Sequence, residues 1–175
     1  ADNNEYTLNM FADFYYAYCA AHLNQANTEL LFTRFVEAYH ETTLRNKAYF
    51  ELGNFYFRKN KTTNALEWYE KVDTRELNND ELIAFKFNLG YSYFKRKKFS
   101  KAKPLFKAIK DVKHGYSESA TYYYGFISFY EKDYKEAEKS FIKLQDSQLY
   151  GETVPHYLTQ IYFLRGDYAL VVSYA

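Results

Sequence analysis

The chain has 175 residues, enough for one compact domain, and 47% of them are hydrophobic, which excludes a disordered protein. A formal net charge of +1 provides no overall field for nucleic acid, and no apolar run reaches the roughly 18 residues of a membrane span. Only two prolines and six glycines interrupt the chain, so long helices are favoured over hairpins of strands. The composition therefore predicts an all-α protein.

A short pattern of residues recurs along the chain. Small residues mark its centre in successive copies, at Gly53, Gly90, Gly125 and Thr159, which are 37, 35 and 34 residues apart. A period of this length is typical of stacked units that cannot bury their apolar faces alone. The sequence therefore predicts an array of similar supersecondary units.

Each copy predicts two antiparallel helices, which we name A and B. In the first complete copy the A helix carries one apolar stripe with spacing i, i+3, i+4 and i+7. A polar break at residues 58–63 follows, and the B helix then repeats the same spacing. Small residues at the helix contact allow close approach, and an aromatic residue fills the remaining gap. The residues of this copy are Tyr49, Leu52, Gly53 and Tyr56 on helix A, and Ala65, Tyr69 and Val72 on helix B.

The repeats are expected to follow one another along almost the whole chain. The first is degenerate: Phe11–Asn24 and Thr28–Tyr39 form its helices, and Leu31, Phe35 and Ala38 replace the B-helix residues of the complete copy, with Ala17 in the glycine position. The last repeat is cut short, so we expect a fragment of a longer protein. The predicted repeats cover residues 11–41, 46–77, 82–114, 118–150 and 153–175.

Capping residues predict where several helices begin. Asp133 is followed three residues later by Glu136, as in a capping box. Ser100, Ser117 and Asp167 lie at comparable positions, and Pro104 is expected near the first turn of its helix, where a missing N–H costs least.

The recurring pattern resembles that of the tetratricopeptide repeat (TPR) over residues 11–175. The resemblance implies a solenoid, an α-α superhelix of about four antiparallel helical hairpins plus a truncated end. It also implies a non-catalytic interaction scaffold, in which A helices line a concave face that binds a peptide or helix of a partner protein. The copies depart from the family pattern at Lys86, Thr121, Ser128 and Thr159, and the usual proline between units is absent.

A second stripe lies beside the core stripe of each A helix, with spacing i, i+4 and i+7. These side chains either fill the seams between neighbouring units or line a partner-binding groove. If they line a groove, Tyr91, Tyr122 and Phe126 should keep accessible surface. The candidate groove residues are Phe50, Asn54, Phe57, Phe87, Tyr91, Phe94, Tyr122, Phe126, Phe129, His156, Gln160 and Phe163.

Lysines are concentrated after residue 95, with Lys97, Lys101 and Lys107 as the candidate basic patch. Such a run is either a solvated helix face or a docking surface for an acidic partner or an anionic lipid.

Sequence motifs for catalysis are lacking. The four histidines are scattered, and no paired-cysteine, HExxH or phosphate-loop spacing occurs, so we expect no enzyme, no metal and no cofactor. Cys19 is expected to be a small buried side chain. Asn54 and Asn88 match two columns of the TPR grooves that hold a terminal carboxylate, but the required cations are missing, which argues against that type of receptor.

Residues 44–53 are also similar to TPR proteins of bacterial cell envelopes. That narrower resemblance implies a periplasmic or outer-membrane-associated protein with peripheral membrane contact, and a cytoplasmic one otherwise. Two alternatives to the partner-binding scaffold stay open: a structural module that self-associates through its C-terminal end at Tyr168–Ala175, and a regulatory region of a larger protein.

Overall fold

The computed structural model describes the backbone of residues 2–174 and the side chains of residues 4–174. The described residues form ten α-helices and one short 3-10 helix at Thr74–Glu76, which confirms the all-α prediction; Ala175, in the last predicted repeat, lies outside them. The helices are α1 Asp2–His22, α2 Thr28–Ala38, α3 Thr43–Arg58, α4 Thr62–Tyr69, α5 Asn79–Lys95, α6 Phe99–Ile109, α7 Ser117–Tyr130, α8 Tyr134–Ile142, α9 Val154–Arg165 and α10 Tyr168–Tyr174.

The helices divide into two compact units. The first extends to Arg96 and contains α1–α5, and the second begins at Lys97 and contains α6–α10. In the first unit α1 pairs with α2 and α3 with α4, and α5 packs on α4 and α3. In the second unit α7 pairs with α8 and α9 with α10, while α6 packs on α7.

The helix pairs approach closely at their central glycines. A Cβ atom at Gly53 would lie 2.5 Å from the ring of Tyr69, and one at Gly125 would lie 2.8 Å from the Cβ atom of Ser140. Both distances are shorter than van der Waals contact, so only glycine allows these A and B helices to pack as they do. The close-packing role predicted for these two small residues is therefore confirmed.

The turns between paired helices share one backbone feature. Each contains a residue in the left-handed region: Asn24, Asn60, Lys132 and Gly166 have φ values of 55°, 56°, 64° and 78°. Asparagine and glycine adopt this conformation at low cost, whereas lysine is strained there. The chain is therefore reversed by the same backbone conformation in both units, although the residue that adopts it differs.

Capping follows the prediction at some helix starts and not at others. Asp133 accepts a hydrogen bond from the backbone N–H of Glu136, and Asp167 directly precedes α10, as predicted. The predictions for Ser100 and Ser117 are wrong. α6 already begins at Phe99, before Ser100, and the hydroxyl of Ser117 donates a hydrogen bond to a carbonyl oxygen. A reciprocal capping box, which we did not predict, joins Asn78 and Glu81.

The observed bounds of α6 and α7 refine the prediction for Pro104 and explain the result for the two serines. Pro104 lies inside α6, just past its first turn. Ser100 is the second residue of α6, and Ser117 the first residue of α7, so neither is the residue that caps its helix.

The first hairpin differs from its prediction in both helices. α1 begins at Asp2 instead of Phe11, so it is the longest described helix. Thr28 and Phe32 are fully buried with the four-residue spacing of Ala65 and Tyr69.

The predicted B-helix residues of this hairpin are therefore out of register. Leu31 is only half-buried and Ala38 is exposed, although Phe35 is buried. A polar threonine occupies the place of alanine, and its hydroxyl donates to the carbonyl of Gln25 at 2.8 Å, which satisfies it in the core.

Candidate functional site

The candidate groove residues of the first unit pack between successive A helices, α3 and α5. Phe50 is buried, and its ring lies 6.4 Å from that of Phe85. The rings of Phe57 and Tyr91 meet edge to face at 5.7 Å, and Phe87 stacks on Tyr91 at 6.3 Å. Phe50 therefore fills a seam, while the other three rings fill part of the seam and keep part of their surface exposed.

Asn54 and Asn88 form a polar link in the same seam. The side-chain oxygen of Asn54 accepts hydrogen bonds from the Tyr69 hydroxyl at 2.7 Å and from the Asn88 amide at 3.1 Å. Asn88 is buried. These two amides therefore hold α3, α4 and α5 together, which is a different use from the carboxylate contact of the matching TPR columns.

In the second unit a single ring joins the candidate residues of α7. Tyr157 of α9 lies 5.4 Å from Phe129, 6.0 Å from Phe126 and 6.4 Å from Tyr122, measured between ring centroids. It also stacks on Phe141 of the core at 4.9 Å. Tyr157 was not predicted as a site residue, although it is the neighbour of His156 and lies two residues before Thr159.

The aromatic cluster of α7 and α9 keeps exposed edges. Tyr122, Phe126 and Phe129 are half-buried, as are Tyr157 and Gln160. As expected for a groove, Tyr91 in the first unit and Tyr122 and Phe126 in the second all retain accessible surface.

The C-terminal part of the predicted stripe is more open. His156 is exposed, its Nε2 atom lies 2.6 Å from the Gln160 amide nitrogen, and Phe163 is 61% exposed. Phe94 of the first unit is half-buried.

Burial raises the pKa of two tyrosine hydroxyls of the second unit, those of Tyr122 and Tyr162. Burial, followed by a hydrogen bond with Tyr157, raises the pKa of Tyr122. Burial and the nearby carboxylate of Glu138 raise the pKa of Tyr162 to about 12. The raised pKa keeps the Tyr122 hydroxyl neutral, so it contributes an uncharged group to the aromatic surface of α7.

The A helices of the two units differ in how many charged residues they contain. α3 and α5 each contain four Asp, Glu, Lys or Arg residues, whereas α7 contains only Glu118 and α9 only Arg165. The aromatic surface of the second unit is therefore nearly free of ionic side chains.

The candidate basic patch does not form one face of a helix. Lys97, Lys101 and Lys107 are all exposed, but Lys101 and Lys107 project about 120° apart around α6 because they are six residues apart. Lys107 lines an open cleft of about 620 Å³ beside Lys103, whose ammonium group pairs with Glu131 at 2.6 Å. Lysines and carboxylates therefore alternate along this side of the second unit.

Metal-binding side chains are not clustered among the described residues. Among the described side chains, those of residues 4–174, no three from His, Cys, Asp or Glu are grouped to hold a metal ion. None of the helices described is long and apolar enough to cross a bilayer. The expectation for Cys19 is wrong: its side chain is exposed, because it lies on the uncovered side of α1.

Comparison with known proteins identifies the repeat. Residues 47–79, which span α3 and α4, match the family model of the tetratricopeptide repeat. The chain has the TPR fold. It is similar to the solved structure of MamA from AMB-1, with a TM-score of 0.71 and 14% identity over 96% of this chain and 88% of that one.

A second TPR-like structure extends the comparison. A putative kinesin light chain of Podospora anserina, with nearly identical TPR-like repeats, gives a TM-score of 0.58 at 15% identity, covering 95% of this chain and 91% of that one. No curated protein matches the chain in sequence. TPR folds generally serve as protein-interaction scaffolds, and the described helices match them over almost the whole chain.

Proposed function

We propose that the chain is a protein-binding scaffold whose aromatic A-helix surface binds a weakly charged, apolar segment of a partner protein, either an extended peptide or a helix. The part formed by α7 and α9 makes the main contact. The single observation that carries the proposal is the exposed edge of the ring cluster around Tyr157, where Tyr122, Phe126 and Phe129 are all half-buried.

The geometry of this cluster suits a binding surface. Each ring is held on one side by Tyr157, so it loses little conformational freedom when a partner covers its exposed edge. Aromatic side chains that are rigid before binding are the usual anchors of protein interfaces. The Phe126 and Phe129 rings meet the Tyr157 ring at 83° and 70°, an edge-to-face arrangement that leaves one ring edge accessible.

The small number of charged residues on α7 and α9 favours a partner segment that is itself weakly charged. With only Glu118 and Arg165 on the two helices, a strongly charged segment would lose its hydration without gaining an ion pair. An apolar segment with few charges loses less. Gln160 and the tyrosine hydroxyls supply hydrogen bonds that can fix its orientation.

A selection from a displayed random-peptide library against the whole chain tests the proposal. We expect the selected peptides to be rich in apolar residues and poor in Asp, Glu, Lys and Arg. Titration calorimetry should then show binding at least about tenfold weaker for Phe126→Ala, which is the loss expected for an aromatic anchor.

Tyr91→Ala is the matched control because Tyr91 holds the same position on α5 of the first unit. This change should alter the affinity less than Phe126→Ala does. Peptides that bind Phe126→Ala as tightly as the original chain, with circular dichroism showing both folded, would contradict the proposed site.

A position in a bacterial cell envelope is a further part of the proposal, supported only by the resemblance of residues 44–53. In the fold this segment lies in α3, where Ala48, Leu52 and Gly53 are buried. Packing alone accounts for these three residues, so fractionation of the source cells is the deciding measurement.

A further inference from the structure

Two turns of the first unit are rich in cations. Both follow an A helix, one after α3 and the other at the end of α5. Their lysines and arginines lie five, six or eight residues after the central glycines Gly53 and Gly90, and all of them are exposed. The corresponding residues of the other three hairpins include only one lysine or arginine. We name this set the basic edge: Arg58, Lys59, Lys61, Lys95 and Arg96.

The basic edge is one continuous surface. The Arg58 guanidinium donates to the carbonyl oxygen of Ala21, near the end of α1, at 3.1 Å. The Arg96 guanidinium donates to the hydroxyl of Thr63, which lies in the first turn of α4 and two residues after Lys61. The ends of α3 and α5 and the start of α4 therefore lie side by side.

The basic edge is not neutralised by acidic side chains. Among the side chains that the structure describes, no carboxylate forms an ion pair with any of its lysines or with either arginine. The charge of Arg58 acts on the buried carboxyl of Glu51, and Glu29 and Glu67 act on the hydroxyl of Tyr56. Clustered like charges repel one another, so an anion from outside the chain would relieve this repulsion.

Helix stability does not account for all of these cations. A cation near the C-terminal end of α3 or α5 is favoured by the helix dipole, but a cation at a helix start is not. Lys61 directly precedes α4, and its side chain makes no capping hydrogen bond. In the second unit Asp133 holds the equivalent place before α8 and accepts a hydrogen bond from the backbone N–H of Glu136. Lys61 therefore replaces a stabilising cap, and local rules of this kind are broken mostly at functional surfaces.

We propose that the basic edge binds an acidic segment of a partner protein, about four to six residues long. Packed helices lie about 8–10 Å apart, and an extended chain advances about 3.3 Å per residue, so about three residues span the two turns. Carboxylates accept charge-assisted hydrogen bonds from lysine and arginine. The basic edge belongs to the first unit, so this contact is additional to the one proposed for α7 and α9.

A short protein segment fits the charge of the chain better than a long polyanion does. Membranes and nucleic acids extend well beyond the edge, and their long-range attraction depends on the whole charge distribution. The chain has a net charge of only +1, and residues 70–81 of the same unit contain five acidic and two basic residues. A short acidic segment contacts the cations of the edge alone. The TPR fold, which generally serves as a protein-interaction scaffold, also favours a protein.

An NMR titration of the whole chain with a blocked peptide of eight glutamates tests the proposal. At about 50 mM salt we expect a dissociation constant of about 0.1–1 mM, since exposed ion pairs are individually weak. The shifted amides should be those of residues 58–63 and 94–96. Raising the salt to about 300 mM should weaken binding at least about fivefold. The absence of binding at about 5 mM peptide overturns the proposal, as do shifts centred on other residues.

Two triple variants with the same loss of total charge locate the site. Each replaces three exposed cations by glutamine, in the basic edge for the first variant and in the second unit for the control. The first should bind the peptide at least about tenfold more weakly, and the control should bind it as the original chain does. An equal loss in both overturns the proposal. The variants are Lys59→Gln with Lys61→Gln and Arg96→Gln, and Lys107→Gln with Lys113→Gln and Lys135→Gln.

Lys61→Asp separates binding from stability. An aspartate at this place should cap α4 as Asp133 caps α8, so the melting temperature should rise while the peptide binds at least about threefold more weakly. Unchanged binding by this variant contradicts a role of the edge.

Two further probes test the class of partner. Vesicles containing phosphatidylserine, and single-stranded DNA, should bind the chain more weakly than the glutamate peptide does. Tighter binding of either probe overturns the choice of a protein segment. Phe126→Ala should leave binding of the glutamate peptide unchanged, because Phe126 is not part of the basic edge, so this proposal and the proposed aromatic site can fail separately.

Discussion

In each unit two successive A helices pack along a seam. One position of that seam carries a different residue in the two units, and the contacts across the seam differ accordingly. Two residues before the central small residue, α5 carries Asn88 and α9 carries Tyr157. The amide joins its seam through a hydrogen bond to Asn54, with four charged residues on each helix nearby. The tyrosine joins its seam through ring contacts on nearly uncharged helices. At this position the first seam therefore gains a hydrogen bond beside its ring contacts, whereas the second gains further ring contacts.

The largest effect that tests this comparison is expected from Tyr157→Ala. The change removes ring contacts with Tyr122, Phe126, Phe129 and Phe141, and should lower the free energy of unfolding by about 3 kcal/mol. Asn88→Ala at the matching position should cost only about 1 kcal/mol, the usual net value of one hydrogen bond. Urea denaturation measures both, and equal losses would refute the distinction between the seams.

A smaller effect is expected at the turns. Lys132 has a φ of 64°, where a lysine side chain is strained, so Lys132→Gly should stabilise the chain by about 0.5–1 kcal/mol. Asn60 has a φ of 56° at the equivalent turn of the first unit, and because asparagine tolerates it, Asn60→Gly should change stability by less than about 0.5 kcal/mol. Thermal unfolding of both variants checks the prediction, and a destabilised Lys132→Gly would contradict it.

The smallest effect is expected at Glu51, which is buried on α3. It lies two residues before Gly53, the position that Asn88 holds on α5 and Tyr157 on α9. Burial raises the pKa of its carboxyl, although Arg58 and Lys47 oppose the shift. His22 of α1 lies 3.9 Å away, and Glu81 of α5 adds a repulsive charge. The pKa of Glu51 is higher in the folded chain than in the unfolded chain, so folding favours the protonated carboxyl. Protonation of Glu51 therefore stabilises the fold fully below the unfolded pKa, near 4.5, and this stabilisation is lost as the pH rises through the folded pKa.

Glu51→Gln separates this contribution from others. The variant should be more stable than the original chain at neutral pH, and the difference should shrink as the pH falls below the unfolded pKa. Denaturant titrations at several pH values measure it. A difference that does not change with pH would show that burial of the Glu51 charge is not its cause.

The period of the small residues was sufficient to predict the helical hairpins, because residues that must be small at a helix contact leave a strong mark on a sequence. Gly53 and Gly125 are such residues, and their surroundings leave no space for a Cβ atom. The register of the first hairpin could not be predicted in the same way. Its core contains Thr28 at the position of Ala65, where Leu31 was expected, and both Phe32 and Phe35 are buried, so periodicity alone does not choose between the two phenylalanines.

The candidate site was less predictable than the fold. The i, i+4 and i+7 spacing identified Phe126 and Phe129 on α7. It did not identify Tyr157, because Tyr157 lies beside the α9 stripe of His156, Gln160 and Phe163 and not in it. Cys19 was expected to be buried because small apolar residues usually are, and it is exposed because its side chain lies on the side of α1 that faces away from α2 and α3 among the described residues. Both errors concern contacts between hairpins, which local patterns describe poorly.

The short turns between paired helices also bear on how each unit folds. Since a turn of a few residues around Asn60 or Lys132 joins helices that pack on each other, most contacts form between residues that are near in sequence. Low contact order of this kind gives fast folding, and it allows local opening of one hairpin while its neighbours stay closed. The first amides to exchange with deuterium in the first unit should accordingly be those of residues 4–9 of α1, whose side chains are all exposed.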